Sequence, residues 1–239
     1  MEDAIYFIGK NDDFKLDDGM KKEVQCLKLN SKVTKVVFGH LLFEKEDLQL
    51  IHDELINNTN IKTLSFNSCK DYIKSDLPAY SFATIFEMML NHQSIQTLQL
   101  SSLKLRDLEF LAPVLKSNNV LKELDLRGNS FSQSNISKLF QLLCFNKTLK
   151  TLNLTSNSSP AVHGQRRNQF NCFENLKFVY LQHINLSHCG IHSESLGQLF
   201  ESLKSNIYLK SLNVSGSNLN SKDVGFIVSY CAFNPKLSK

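Results

Sequence analysis

One spacing pattern recurs seven times along this 239-residue chain and limits what it can fold into. The clearest copy is Leu121, Leu124, Leu126, Asn129 and Phe131, at offsets of three, five, eight and ten from the first residue. Leu149, Leu152, Leu154 and Asn157 repeat it, as do Leu209, Leu212, Val214, Ser217 and Leu219. Ile61, Leu64, Phe66 and Cys69 form an earlier copy, followed by Ile95, Leu98, Leu100, Leu103 and Leu105. Leu181, Ile184, Leu186, Cys189 and Ile191 form another. A weaker copy, Val33, Val36, Phe38, Leu41 and Phe43, opens the array. The copies start at 33, 61, 95, 121, 149, 181 and 209. Self-similarity at such a period marks a solenoid.

A second periodicity fixes the same register. Between successive starts the apolar residues fall at helical spacing, as in Phe82, Ile85, Phe86 and Met89, or Ile136, Leu139, Phe140 and Leu143. Three residues before each start stands Asn58, His92, Asn118, Asn146 or Asn206. A helix ends there, and Asn tolerates the left-handed conformation that often terminates one. Each unit is therefore expected to be a strand, a turn, a helix and a return. Neither strand nor helix can bury its apolar face alone, so neighbouring units stack into one continuous core. A strand is narrower than a helix, so the stack curves with its parallel sheet inside.

These units of about 28 residues, each with a full helix, resemble the ribonuclease-inhibitor-like class of leucine-rich repeats. The resemblance covers residues 33–236. It implies an α/β solenoid, a horseshoe with a concave parallel sheet, convex helices and about seven repeats. It also implies a surface for holding proteins, as in ribonuclease inhibitors, innate-immune receptors, Ran-type GTPase-activating proteins and effectors of intracellular bacteria. Residues 1–32, with apolar Ile5, Phe7, Ile8, Val24, Leu27 and Leu29, are expected to form an N-terminal cap. In the last unit Val224, Ile227, Val228 and Cys231 fill the helix slots, and residues 237–239 fall where an eighth repeat begins. No polar cap is written there, which suits a truncated array or an edge covered by a partner or a second copy.

The pattern breaks in two places before that end. Inserts at 70–80 and 158–168, the second carrying Arg166 and Arg167, lengthen two units, and such loops commonly take part in binding. The fifth unit lacks large apolar residues in its helix slots, so the sixth starts at either Leu181 or Leu176. Leu181 is preferred because Asn185 to Ile191 gives the better turn, with an irregular helix built on Phe170, Phe173 and Leu176. A locally repacked core is the favoured reading there, and exposure of some of Phe173, Phe178 and Tyr180 is the alternative that would mark a contact site.

On the concave face the residues between the leucines are mostly small, neutral and hydrogen-bonding. Glu123, Asp125 and Arg127 are the charged trio of mid-face, which either pair with one another or anchor a basic partner, and Asn153, His183, Asn185 and Asn213 lie on the same side. With the loop residues Arg166 and Arg167, these are the candidate protein-binding residues. Lys62, Lys122, Lys150 and Lys210 recur beside one rim, where they suit an acidic partner. His183, His188, Cys189 and His192 suggest zinc, but His183 and His188 are roughly 16 Å apart on an extended segment, too far to share one ion. No phosphate loop, nucleophile elbow or catalytic triad stands apart from the repeats, so neither an enzyme nor a cofactor is expected.

Composition narrows the partners. The net charge of +4 is small and interspersed, which gives no push toward nucleic acid or a membrane surface. Six scattered Cys without CxxC pairs, and an acidic N-terminus unlike a signal peptide, point to free buried thiols in a reducing, cytoplasmic setting. Lys greatly outnumbers Arg, and Asn and Ile are plentiful, as in AT-rich genomes. That suits an effector of an intracellular bacterium acting in host cytoplasm, or a protist scaffold. The leading expectation is a module that binds a protein partner. A GTPase-activating or other enzyme-regulatory repeat protein is the further alternative.

Overall fold

The computed structural model describes residues 3–10, 14–71, 82–157, 173–191, 193–217, 220–221, 223–225 and 227–228. In each unit the alternation of large apolar and polar residues gives a short strand. In chain order these are β1 (Asp3–Ile8), β3 (Val33–Gly39), β5 (Thr63–Asn67), β7 (Thr97–Ser101), β8 (Glu123–Asp125), β9 (Thr151–Asn153), β10 (His183–Asn185) and β11 (Ser211–Asn213). They lie side by side in that order as one eight-stranded parallel sheet. The sixth unit's strand is thus His183–Asn185, which places Leu181 at its start. The segment read as a cap supplies the first strand, in which Ile5 faces Val36 and Phe7 faces Phe38. A second parallel sheet, not anticipated, joins β2 (Phe14–Lys15), β4 (Leu41–Phe43) and β6 (Lys70–Asp71) where the first units leave their strands.

The return path is helical. The helices are α1 (Asp18–Cys26), α2 (Lys45–Leu55), α3 (Ala83–Asn91), α4 (Leu111–Ser117), α5 (Gln133–Leu143) and α6 (Ser193–Leu203). Side-chain caps set several starts. Asp17 accepts from the Met20 N–H at 2.8 Å, and Ser132 and Asn135 cap each other reciprocally at the head of α5. At the head of α2, the Glu44 N–H donates to buried Asp47 at 2.8 Å. Lys21 of α1 pairs with that carboxylate at 2.9 Å, which raises the lysine's pKa. In the fifth unit a 3-10 turn, Glu174–Phe178, replaces the helix, and buried Phe173, Leu176 and Val179 fill the core there. No helix of the described residues is long and apolar enough to cross a membrane.

The core runs unbroken from Phe7 to Leu209. At its front, Phe7, Phe38 and Phe66 stack in line across β1, β3 and β5, with ring centroids 5.0 and 5.1 Å apart. Phe43 and Phe82 meet this stack edge-on. From β7 onward the same sheet position is held by Leu100, Leu126, Leu154 and Leu186, all fully buried. Two expectations of burial fail. Ile8 and Leu29 of the first segment are exposed, and so are Val224 and Val228 of the last unit, where Ile227 is only half-buried. Leu29 lies in a 3-10 turn that buries Leu27 and leaves the Leu29 side chain facing out.

The residues three before each start do not adopt the left-handed conformation expected of them. His92 and Asn118 are extended, with φ of −68° and −73°. Their work is done by the side chain. The Asn118 carboxamide oxygen accepts from the N–H groups of Val120 and Leu121, and its nitrogen donates to Met89 O of the unit before. Asn58, Asn146 and Asn206 repeat this arrangement. At His92 the ring Nδ1 accepts from Ser94 and Ile95, and Nε2–H donates to Leu55 O at 2.9 Å. The left-handed position lies instead seven residues after each start, at His40, Ser68, Ser102, Gly128, Ser156, His188 and Gly216. There the chain turns out of its strand.

Candidate functional site

Parallel pairing in constant register turns single positions into rows across the sheet. One row is Lys35, Thr63, Thr97, Glu123, Thr151, His183 and Ser211. The next is Tyr6, Val37, Ser65, Gln99, Asp125, Asn153, Asn185 and Asn213. Both rows point away from the leucine core, onto the concave face. Eight strands give that face a length of roughly 34 Å across seven gaps.

The described candidates lie in these rows, apart from Arg127 just beyond β8, and are not equally available. Asp125 is 8% exposed, and its carboxylate accepts from the Arg127 N–H at 3.0 Å while pairing with the Arg127 guanidinium at 2.6 Å. Asn153, Asn185 and Asn213 use the same device, each accepting from the N–H two residues on, in Thr155, Ser187 and Ser215. These four side chains hold the strand exits, an Asx-turn ladder that the sequence spacing does not announce. Exposed Glu123 and His183 stand free of that ladder, and exposed Arg127 offers the outer part of its guanidinium. Glu123 and His183 share a row, separated by Thr151, so their strands lie roughly 10 Å apart. Two further side-chain contacts link neighbouring strands. The Ser101 hydroxyl donates to Asn67 Oδ1, and the Thr155 and Ser187 hydroxyls meet at 3.0 Å. Arg166 and Arg167, the insert at 158–168, Phe170 and residues 72–80 lie outside the described residues.

The buried polar and thiol groups serve the turns. Asn129 donates to Leu100 O and Leu126 O and accepts from the N–H groups of Leu103 and Leu105. Cys69 and Cys189 take the equivalent place, their thiols donating to Phe38 O and Leu154 O. Burial pushes the Cys69 thiol up to about 12 and raises Cys189 as well, so neither is disposed to act as a thiolate. Cys26 is exposed, unlike the buried thiol expected. Of the histidines considered for zinc, His183 lies on the concave face and His188 in the left-handed turn. His192 lies outside the described residues.

One rim was only partly foreseen. Phe178 is exposed and Tyr180 half-buried, whereas Phe173 is buried. Phe145, Ile207 and Tyr208, also exposed, join them from the neighbouring return turns. The sequence carries a partial signal: just before the start, where three other units have Asn60, Ser94 or Thr148 and one has Val120, these have Tyr180 and Tyr208.

The family profile described as Leucine Rich Repeat matches residues 120–142 and 180–205. The chain carries leucine-rich repeats. Both matched segments begin one residue before a unit start, at Leu121 and Leu181, and run into the following helix. Two solved structures are similar to this leucine-rich-repeat chain. One is the tropomodulin C-terminal domain of Caenorhabditis elegans, 12% identical over 80% of this chain and 94% of that one, with a TM-score of 0.47. The other is leiomodin-1 actin-binding site 2, 15% identical over 80% of this chain and 88% of that one, with a TM-score of 0.44. No curated protein sequence matches the chain.

Proposed function

We propose that this leucine-rich-repeat chain is a protein-binding module that seats a partner on its concave sheet. The observation that supports this is the in-register row Thr97, Glu123, Thr151, His183 and Ser211, a polar strip across five adjacent strands. Its small hydroxyls leave room for a partner's helix or loop, and Glu123, Arg127 and His183 supply the charged and ionisable contacts. Asp125, Asn153, Asn185 and Asn213 act one step back, by fixing the strand exits that carry those groups. A partner that places a cation beside Glu123 and an acceptor beside Arg127 fits the strip best.

The test is a pull-down with the chain as bait, repeated with Glu123→Lys and Arg127→Glu. Asp125 is left untouched, because its replacement would break the Arg127 turn and confuse loss of fold with loss of contact. Circular dichroism should show both variants folded. A specific partner should lose about tenfold or more in affinity if these contacts lie near the interface centre. A partner retained equally by both variants would sink the concave-face reading.

A further inference from the structure

The return turns that enter the fifth, sixth and seventh units present a surface the concave-face reading does not use. Phe145 is 77% exposed, Phe178 57%, Ile207 69% and Tyr208 39%. Such large apolar side chains are ordinarily buried, and a group of them on one rim is a mark of contact. Neighbouring turns of the group are in contact. Tyr180 and Tyr208 of adjacent turns meet at 4.7 Å, and the Cys144 thiol beside Phe145 donates to Asn175 O of the turn that carries Phe178. The charges nearest the rings are basic, and exposed Glu174 lies at the far end of the 3-10 turn that carries Phe178. Lys147 Nζ sits 5.8 Å from the centre of the Tyr180 ring, and Lys177 Nζ sits 4.8 Å from that of Phe178. Residues 145–150, 177–182 and 205–210 contain Lys147, Lys150, Lys177 and Lys210 and no Asp or Glu.

We propose that this rim docks an acidic protein segment that carries an aromatic or branched aliphatic anchor. The exposed rings and Ile207 supply the apolar seat. The lysines folded over those rings place positive charge at its border, where a partner's carboxylates gain most from partial desolvation. Two other occupants fit less well. A second copy apposing the same rim would bring lysine against lysine. A nucleic acid strand would meet no arginine in these turns for its phosphates, and Ile207 offers no ring for a base to stack on.

The proposal is independent of the concave face, and the experiment keeps the two apart. Random peptides displayed on phage are selected on the immobilised chain, and the recovered peptides are titrated by fluorescence anisotropy. Recovered sequences should be acidic and share an aromatic, Leu or Ile anchor. Their affinity should fall about tenfold or more in Lys147→Glu/Lys177→Glu and in Phe178→Ser/Tyr208→Ser, and should weaken as salt rises. It should be unchanged in Glu123→Lys/Arg127→Glu. Because these side chains are exposed, the rim variants should melt near the parent, as circular dichroism would show. The proposal is overturned if the selection yields no peptides, if they lack an acidic bias, or if they bind the rim variants equally. It is also overturned if the chain is a dimer that Phe178→Ser/Tyr208→Ser dissolves, or if labelled oligouridylate binds this rim more tightly than the peptides.

Discussion

At His92 an imidazole does the work that a carboxamide does in four other units. It can do so only as the neutral tautomer, with Nε2–H donating to Leu55 O and bare Nδ1 accepting two backbone N–H groups. Burial, reinforced by the charge of Lys62, holds its pKa below the ordinary 6.5, against the opposing bond to Leu55. The unfolded chain therefore binds that proton more readily than the folded one. Stability from this site is whole above about pH 6.5 and declines as the pH falls below it. His92→Asn should keep the bonds and remove this part of the acid sensitivity, as urea melts at pH 7 and pH 5.5 would show. His92→Ala should cost on the order of 3 kcal/mol at pH 7 and less at pH 5.5, because it orphans buried backbone groups that protonated His92 no longer serves fully. An unchanged acid response in His92→Asn would refute the assignment. The left-handed turns give a second residue-scale expectation. Ser102 and Ser156 have φ of 56° and 57°. Replacing either by Gly should stabilise by up to about 1 kcal/mol, read from denaturant midpoints.

Among the elements, the phenylalanine stack ties the first segment to the array. Phe38 touches rings on both sides, Phe7 at 5.0 Å and Phe66 at 5.1 Å. Phe38→Leu restores the side chain that later units use at this position but loses both stacked pairs, and should cost about 1–3 kcal/mol. The corresponding change at Tyr6, an exposed side chain on the concave side of β1, should cost almost nothing. Helix α2 depends on its first turn in the same way. Asp47→Ala removes the acceptor for the Glu44 N–H and the partner of Lys21 together, and should cost about 1–3 kcal/mol in an equilibrium melt. A loss no larger than that of an exposed charge would mean the box contributes nothing to α2.

For the whole molecule, stability in a stacked array is a sum over units and the interfaces between them. The front carries the ring stack, whereas Leu212 of the last strand and Val214 just after it are only half-buried. Hydrogen exchange should therefore slow from β11 toward β3 and β5; uniform protection would contradict that gradient. Most of the architecture could be read from the chain, because a leucine at a fixed offset has one use in such a stack. The joining of residues 3–8 to the sheet was missed because Ile5 and Phe7 offer only the middle of the pattern. The turn position was misread because His92 and the asparagines act through side-chain bonds, which spacing does not encode. On the concave face the sequence marked Asp125 and the three asparagines without distinguishing contact from turn support. At the rim it marked Phe178 and Tyr180 but missed Ile207 and Tyr208, since adjacency across units appears only once the units are stacked.

The left-handed column bears on how such a chain can change over generations. A Cβ at Gly216 would lie 2.3 Å from the His188 ring, 28 positions earlier. The histidine already occupies the space any other residue at 216 would require. A mutation at either site is then judged against its counterpart, and His188→Ala should relieve part of the cost of Gly216→Ala. Units that look interchangeable in sequence are matched to their neighbours. A duplicated or transplanted sixth unit would be accepted only ahead of a glycine, so ancestry and order are written into the array along with its shape.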